Sequence, residues 1–135
     1  MDFRIVHKPS DVSTLTLTKA SATEIEKWDM VALDSGLAIK WVAASTALWY
    51  AIADAGDGET EVLVYSDPNI VFAGTPDEAF AATNRGTEVD LVGTTTQLID
   101  LGASSTDVFK ILPTDDAGTV GSSTDEVLFT INKTL

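Results

Sequence analysis

Hydrophobic and polar residues alternate in short runs along most of the chain, with the period expected of β-strands that have one buried face. The clearest run is residues 14–18, where threonine and leucine alternate strictly. The further strand-like runs are residues 30–33, 37–42, 47–53, 61–65, 70–72, 88–92, 97–101, 108–112 and 127–131. This rhythm predicts an all-β fold, a small β-barrel or sandwich of short antiparallel strands.

Turn residues separate these runs and indicate which of them pair. Asp34-Ser35-Gly36 lies between residues 30–33 and 37–42 and predicts a hairpin. The acidic, glycine-rich residues 54–58 follow the run at 47–53, so residues 61–65 should pair back across that loop.

Two segments carry helix signals, so the pattern allows at most one or two short helices. In residues 21–27, Ser21 and Glu24 have the spacing of a capping box. In residues 75–83, Thr75 suits the N-cap and Pro76 the first helical position. Each segment predicts a short helical turn.

Residues 1–23 are interpreted as an extended N-terminal arm, and residues 24–135 as a single β-rich domain. Three of the eight basic residues lie in the first nineteen positions, namely Arg4, Lys8 and Lys19. The apolar residues of the arm allow it to pack on a neighbouring chain as an added strand. A frayed tail, or the first strand of the same sheet, fits the pattern equally well. The candidate contact residues are Phe3, Arg4, Ile5, Val6, His7 and Lys8.

The charge balance narrows the class of partner. The 135 residues include 21 acidic and 8 basic side chains, which give a net charge of −13. Such a surface repels nucleic acid and anionic membranes, so neither is expected as a partner. No apolar stretch approaches the roughly 20 residues that span a bilayer.

The sequence offers no pattern typical of catalysis or of cofactor binding. It contains no cysteine and one histidine, His7, which lies in the predicted arm. Residues 54–59 and the pair Asp115 and Asp116 are acidic enough to attract a cation, but they lack the spacing of a calcium loop and are more typical of turns. We therefore expect a protein that is not an enzyme and that holds no metal or cofactor.

The aromatic residues suggest a binding surface or a core. Trp28, Trp41, Trp49 and Tyr50 could line a sugar-binding face. Trp49 and Tyr50 are adjacent in one predicted strand, so one should face the core and the other should face outward. An outward aromatic side chain would suit an interface anchor.

Residues 28–37 resemble a hairpin found in the capsid decoration, or cement, proteins of tailed bacteriophages, whose pattern is x-D-x-V-x-L-D-x-x-G; in this chain the glycine, Gly36, comes one position earlier. The later chain is similar to the C-terminal half of small phage structural proteins in the same group. The stretches that carry this second similarity are residues 72–80, 85–91, 99–102, 106–111, 118–121 and 127–133.

The resemblance implies a virion structural protein on the capsid exterior that bridges coat subunits. It also implies a homo-oligomer, often a trimer, whose N-terminal arm contacts the major capsid protein. A carbohydrate-binding or host-adhesion module displayed on a virion is the alternative, and it would use Trp41 or Trp49. A small hydrolase built on acidic side chains is the third hypothesis, and it lacks an evident base or nucleophile.

Overall fold

The computed structural model describes residues 3–21, 23–41, 49–65, 67–93 and 96–132. Within these ranges the chain is all-β, and its strands form two antiparallel sheets that make a sandwich and not a closed barrel. The strands are β1 (Phe3–His7), β2 (Thr14–Thr18), β3 (Met30–Asp34), β4 (Leu37–Lys40), β5 (Trp49–Ala51), β6 (Glu61–Tyr65), β7 (Val71–Gly74), β8 (Glu88–Val92), β9 (Leu98–Asp100), β10 (Phe109–Ile111) and β11 (Val127–Ile131). In the part of the chain described here, no helix has the length and hydropathy needed to cross a bilayer.

The two sheets divide the chain almost by sequence. The six-stranded sheet has the order β1-β7-β11-β10-β8-β9, and the five-stranded sheet has the order β2-β6-β5-β3-β4. The five strands β2 to β6, which follow one another along the chain, therefore form one sheet. β1 joins β7 to β11 in the other sheet. The predicted hairpin of β3 and β4 and the pairing of β5 with β6 are both confirmed.

The segment interpreted as an N-terminal arm contributes the first strand to each sheet. β1 pairs with β7 from Phe3↔Gly74 to His7↔Val71, and β2 pairs with β6 over its whole length. Over its described residues, the segment 1–23 is therefore part of the sandwich. The sequence left open whether the segment is an added strand on a neighbouring chain, a frayed tail or the first strand of the same sheet. The structure shows the last of these.

The described residues contain two short 3₁₀ helices, within the predicted limit, but neither helical turn begins where the sequence predicted it. Residues 21–27 contain no helix in their described part, because Ile25 pairs instead with Ala55 through an antiparallel bridge. Pro76 likewise pairs with Ile99, so the predicted start of a helix in residues 75–83 is extended. The 3₁₀ helices among the described residues are Ala82–Asn84 and Asp115–Ala117.

An aromatic core lies between the two sheets. Phe72 and Phe129 stack with their ring centroids 5.7 Å apart, and Tyr50 of the opposite sheet lies 4.7 Å from Phe72. Gln97 also links the sheets, since its side chain accepts a hydrogen bond from the Met30 amide at 2.8 Å and donates one to the Met30 carbonyl at 3.1 Å. Burial of these large rings, together with the aliphatic residues around them, stabilises the packing of the two sheets.

A second core covers the other face of the five-stranded sheet. Trp49 packs there with Val31 and Val64, beneath Ile25 and Ala55 from two loops that bridge to each other. The prediction that either Trp49 or Tyr50 faces outward is therefore wrong. The two side chains do point to opposite faces of β5, but both faces are covered and both residues are buried.

Two glycines meet specific backbone demands. Ser35 and Gly36 form the two-residue turn between β3 and β4, with φ of 53° and 81° respectively. Positive φ at both positions is the type I′ geometry that suits a twisted hairpin. At Gly74, an added Cβ would lie 2.4 Å from the ring of Phe3, so only glycine leaves room for that ring.

Candidate interaction surface

β1 is an edge strand that is held firmly on one side. Among the described residues it pairs with β7 alone, so its other edge has no strand partner. The Phe3 ring is 2% exposed and makes edge contacts with Phe109 and Phe129, with centroids 5.7 and 5.4 Å apart. These contacts fix the strand from the side of the core.

A tyrosine of the opposite sheet also fixes β1. The Tyr50 hydroxyl donates a hydrogen bond of 3.0 Å to the Phe3 carbonyl oxygen. Burial, with smaller contributions from Asp29 and Tyr65, raises the pKa of Tyr50 far above its usual range. The hydroxyl therefore keeps its proton and can donate this bond throughout the physiological pH range.

The six residues predicted to contact a coat protein divide between the core and the solvent. Phe3 is buried, and Ile5 is half-buried against the same aromatic core. The residues of this set that are exposed are Arg4, Val6, His7 and Lys8. We call these four residues the β1 strip.

The β1 strip is basic and partly apolar. Val6 is 45% exposed and lies where the register with β7 shifts between Ile5 and His7, which is a β-bulge. The Arg4 guanidinium forms an exposed ion pair of 2.8 Å with Glu126. The Lys8 ammonium lies 6.0 Å from the centre of the Tyr65 ring. On a chain of net charge −13, such a strip provides a local attraction for an acidic surface.

Carboxylates gather at the opposite edge of the same sheet, around β9. Asp90 and Asp100 are directly opposite each other in the register of β8 and β9. Asp77 is next to Asp100 and accepts a hydrogen bond of 3.0 Å from the Leu101 amide. The sequence pattern does not reveal this cluster, because its members are separated along the chain and no spacing rule connects them.

Asp90 organises the loop that follows β9. Its Oδ2 accepts hydrogen bonds from the amide and hydroxyl of Ser105, at 2.9 and 3.1 Å. Its Oδ1 accepts from the amides of Thr106 and Asp107, at 2.9 and 2.8 Å. Burial alone would raise the pKa of Asp90, but these bonds to the charged form outweigh it and lower the pKa.

The acidic turns considered as cation sites have ordinary structural partners. Asp54, in the loop of residues 54–59, accepts a hydrogen bond of 2.7 Å from the Lys27 amide. Asp115 and Asp116 begin the second 3₁₀ helix. Within the described ranges, no group of three or more His, Asp or Glu side chains could hold a metal ion.

The tryptophans proposed for sugar binding are in the cores. Trp41 is 1% exposed and Trp49 is 2% exposed, so neither can stack on a glycan, and that prediction is wrong. Trp28 is half-buried, with φ of 76° and the Lys27 ammonium 5.0 Å from its ring centroid. A positive φ is uncommon for so bulky a residue.

Comparison with family models, with curated proteins and with solved structures found no match for this chain.

Proposed function

We propose that this protein is a virion structural protein that binds the exterior of an icosahedral capsid and stabilises it by bridging coat subunits. The observation that carries the proposal is the basic edge of β1 on a chain of net charge −13, an edge that has no second strand partner among the described residues. The resemblance of residues 28–37 to a hairpin of phage decoration proteins supports the same function. The partner is the major capsid protein, and the protein acts as a homotrimer.

The chemistry of the edge favours a foreign partner over a second copy. A bulge and exposed basic residues are features that keep edge strands from pairing with each other. Two β1 strips brought together would place like charges in contact, which is unfavourable. An acidic coat segment meets the same strip with opposite charge, so the charge that disfavours a second copy favours this partner.

Capsid stabilisation follows from binding only to the assembled shell. A ligand that binds the assembled state and not the separated subunits shifts the equilibrium toward assembly by mass action. A trimer that engages several subunits at once adds avidity to each weak contact. Small strips of the size of β1 can therefore stabilise a lattice without any one of them binding tightly.

Point substitutions in the β1 strip test the proposal. Deleting residues 1–10 would also remove Phe3 from the core, so a loss of binding by that deletion would be uninformative. Val6→Asp and Lys8→Glu place an acid on the exposed strip without touching the core. We expect each to weaken cosedimentation with expanded capsids of the cognate coat protein by about tenfold or more.

Matched controls come from exposed positions elsewhere. Val120 is 58% exposed, so Val120→Asp makes the same change on another surface, and Lys110→Glu does so for the charge. These variants should bind within about twofold of the wild type. Wild-type binding by Val6→Asp and Lys8→Glu would contradict a role for the β1 edge. A monomeric mass in analytical ultracentrifugation would contradict the trimer.

Carbohydrate binding is a second candidate function, and of the four aromatic residues considered for it Trp28 is the one that is not buried. Its positive φ is the observation that favours it, because strained residues cluster at binding sites. Glycan-array signals that disappear in Trp28→Ala would support this function. An array without signals for the wild type would remove it.

A further inference from the structure

We propose that Asp57 is a site of spontaneous isoaspartate formation, at which the backbone nitrogen of Gly58 attacks the side-chain carbonyl carbon of Asp57. The site lies in the loop between β5 and β6. Its product is a substrate for the class of methyltransferase that transfers a methyl group from S-adenosylmethionine to isoaspartyl carboxylates. The proposal does not depend on the function proposed for the β1 strip.

The reaction needs no reagent other than water. The Gly58 nitrogen forms a bond to Cγ of Asp57 and gives up its proton, and the protonated carboxyl group gives up its hydroxyl, so one water leaves and a five-membered cyclic imide forms. Water then opens the ring at one of its two carbonyl groups. Opening at Cγ restores aspartate, whereas opening at the main-chain carbonyl leaves the chain linked through Cγ as isoaspartate. The mass of the chain does not change.

The residue that follows an aspartate decides how readily this ring closes. Glycine has no Cβ, so it leaves the attacking nitrogen unhindered and allows backbone conformations that other residues resist. The 135 residues contain one Asp-Gly step, Asp57-Gly58, and no Asn-Gly step. The sequence therefore directs this chemistry to a single loop.

The structure presents both reacting residues at the tip of that loop. The Glu59 amide donates a hydrogen bond of 3.0 Å to the Gly56 carbonyl, so Asp57 and Gly58 are the two central residues of a β-turn. Both are exposed to solvent. A Cβ built on Gly58 would meet nothing within 4 Å, so the space beside the attacking nitrogen is open.

The reacting groups differ from those of the neighbouring aspartate in their bonding. Asp54, in the same loop, accepts a hydrogen bond of 2.7 Å from the Lys27 amide. Neither the Asp57 carboxyl group nor the Gly58 amide has such a bond to another described residue. The carboxyl group can therefore rotate toward the nitrogen, and the nitrogen need not break a hydrogen bond before it attacks.

Backbone hydrogen bonds on either side confine the change to the turn. Before the turn, the Ile25 amide donates to the Ala55 carbonyl at 3.0 Å and the Ala55 amide donates to the Ile25 carbonyl at 2.8 Å. After it, the Lys19 amide donates to the Thr60 carbonyl at 2.8 Å. Isoaspartate adds one carbon atom to the main chain between these fixed points. We expect the hydrogen bond within the turn to be lost and the pairing of Ile25 with Ala55 to remain.

Ageing of the purified full chain at neutral pH in heavy-oxygen water tests the site. Labelling by an isoaspartyl methyltransferase measures the amount of isoaspartate, and the heavy oxygen gained at ring opening locates it by mass spectrometry of peptides. Asp34-Ser35 is the internal reference, because Asp34 is exposed and precedes a small residue but is paired with Leu37 in the β3–β4 ladder. We expect heavy oxygen to enter at Asp57 at least about fivefold faster than at Asp34.

Three variants separate the ring closure from general exposure of the loop. Gly58→Ala puts a methyl group beside the attacking nitrogen without touching another residue, and it should slow the uptake at position 57 by about fivefold or more. Gly56→Ala is the matched control, because a Cβ there also meets nothing within 4 Å and residue 56 carries no reacting atom. Its rate should stay within about twofold of the wild type. Asp57→Glu keeps the charge and should abolish the uptake, since its ring would have six members.

Both glycines have a φ outside the left-handed region, so neither alanine variant is expected to strain the backbone. Equal uptake at Asp57 and Asp34 in the wild type would overturn the proposal. The wild-type rate in Gly58→Ala would overturn it as well, because the attack by that nitrogen would then not limit the reaction.

Discussion

Single side chains complete the backbone bonding of this fold at several buried points, and Asp90 does so most fully. Its two oxygens accept hydrogen bonds from three consecutive residues, Ser105 to Asp107, including three backbone amides. Asp107 has a φ of 52°, which a non-glycine residue rarely adopts without local support. The carboxylate therefore supports the conformation of the whole loop.

Replacement of Asp90 by Asn should destabilise the protein at neutral pH, by about 1–3 kcal/mol. An amide offers one acceptor oxygen where the carboxylate has two, so one half of the loop loses its partner. The folded pKa of Asp90 is lowered, so its contribution is present above the unfolded pKa of about 3.9 and disappears as the pH falls through the folded value.

Urea unfolding at pH 7 and at pH 3 measures this difference. The gap in unfolding free energy between Asp90→Asn and the wild type should be smaller at the acid pH. Asp125→Asn, which changes an exposed acid, should show no gap at either pH. An equal gap for Asp90→Asn at both pH values would show that the charge of Asp90 does not matter.

Strand β1 and its neighbour β7 depend on a close fit between an aromatic ring and a glycine. An added methyl group at Gly74 would lie 2.4 and 2.6 Å from two ring carbons of Phe3 and 3.3 Å from the Phe129 ring. Phe3 is enclosed by Phe109 and Phe129, so it has little room to move aside. The space that Gly74 leaves for the Phe3 ring thus determines the first pair in the register of β1 and β7, Phe3 with Gly74.

Gly74→Ala should therefore destabilise the protein by about 1–3 kcal/mol, the usual cost of overpacking a core. Gly56→Ala is the matched control, because a Cβ at Gly56 meets nothing within 4 Å. Thermal unfolding of the two variants gives the comparison. A midpoint for Gly74→Ala equal to that of Gly56→Ala would mean that the Phe3 ring rearranges freely.

Sequence patterns predicted the positions of the strands well, because an alternating run of hydrophobic and polar residues followed by a turn marks most of them. β2, β6, β8 and β11 coincide with predicted runs, and the β3–β4 hairpin follows from Asp34-Ser35-Gly36. Helix signals failed where bridges to distant residues determined the backbone. Ile25 pairs with Ala55 and Pro76 with Ile99, and a capping pattern contains no information about such partners.

The site was predictable only in part, because burial on both faces of a sheet cannot be read from alternation. Either Trp49 or Tyr50 was predicted to face outward, yet two loops cover the face of β5 on which Trp49 lies. The whole β1 strip was included in the predicted contact set, but the set did not separate it from the buried Phe3 and the half-buried Ile5. The carboxylates around β9 come together only through the strand order.

The molecule as a whole carries a large excess of negative charge over a compact fold. Its 21 acidic side chains outnumber its 8 basic ones. Some acids also lie opposite each other in the sheet, as Asp90 and Asp100 do. Self-repulsion of this kind opposes folding and is reduced when salt screens it.

Added salt should raise the thermal midpoint by about 2–5 °C between 0.02 and 0.5 M sodium chloride. The Debye length shrinks over this range, so repulsion among exposed acids decreases while the apolar cores change little. Differential scanning calorimetry at pH 7 provides the measurement. A falling midpoint would show that ion pairs such as that of Arg4 with Glu126 outweigh the excess charge.

The position of β1 in the sheet of late strands sets an order of events during synthesis on the ribosome. Strands β2 to β6 are complete once residue 65 has emerged, and they form one sheet among themselves. β1 is made before these strands, but its partner β7 follows some seventy residues later, and the ring of Phe129 later still. β1 therefore stays without its strand partner until β7 has been made, about halfway along the 135 residues, and Phe3 waits still longer for Phe129. Closing such distant pairs is slow, and the nascent chain carries Phe3 exposed for that whole interval.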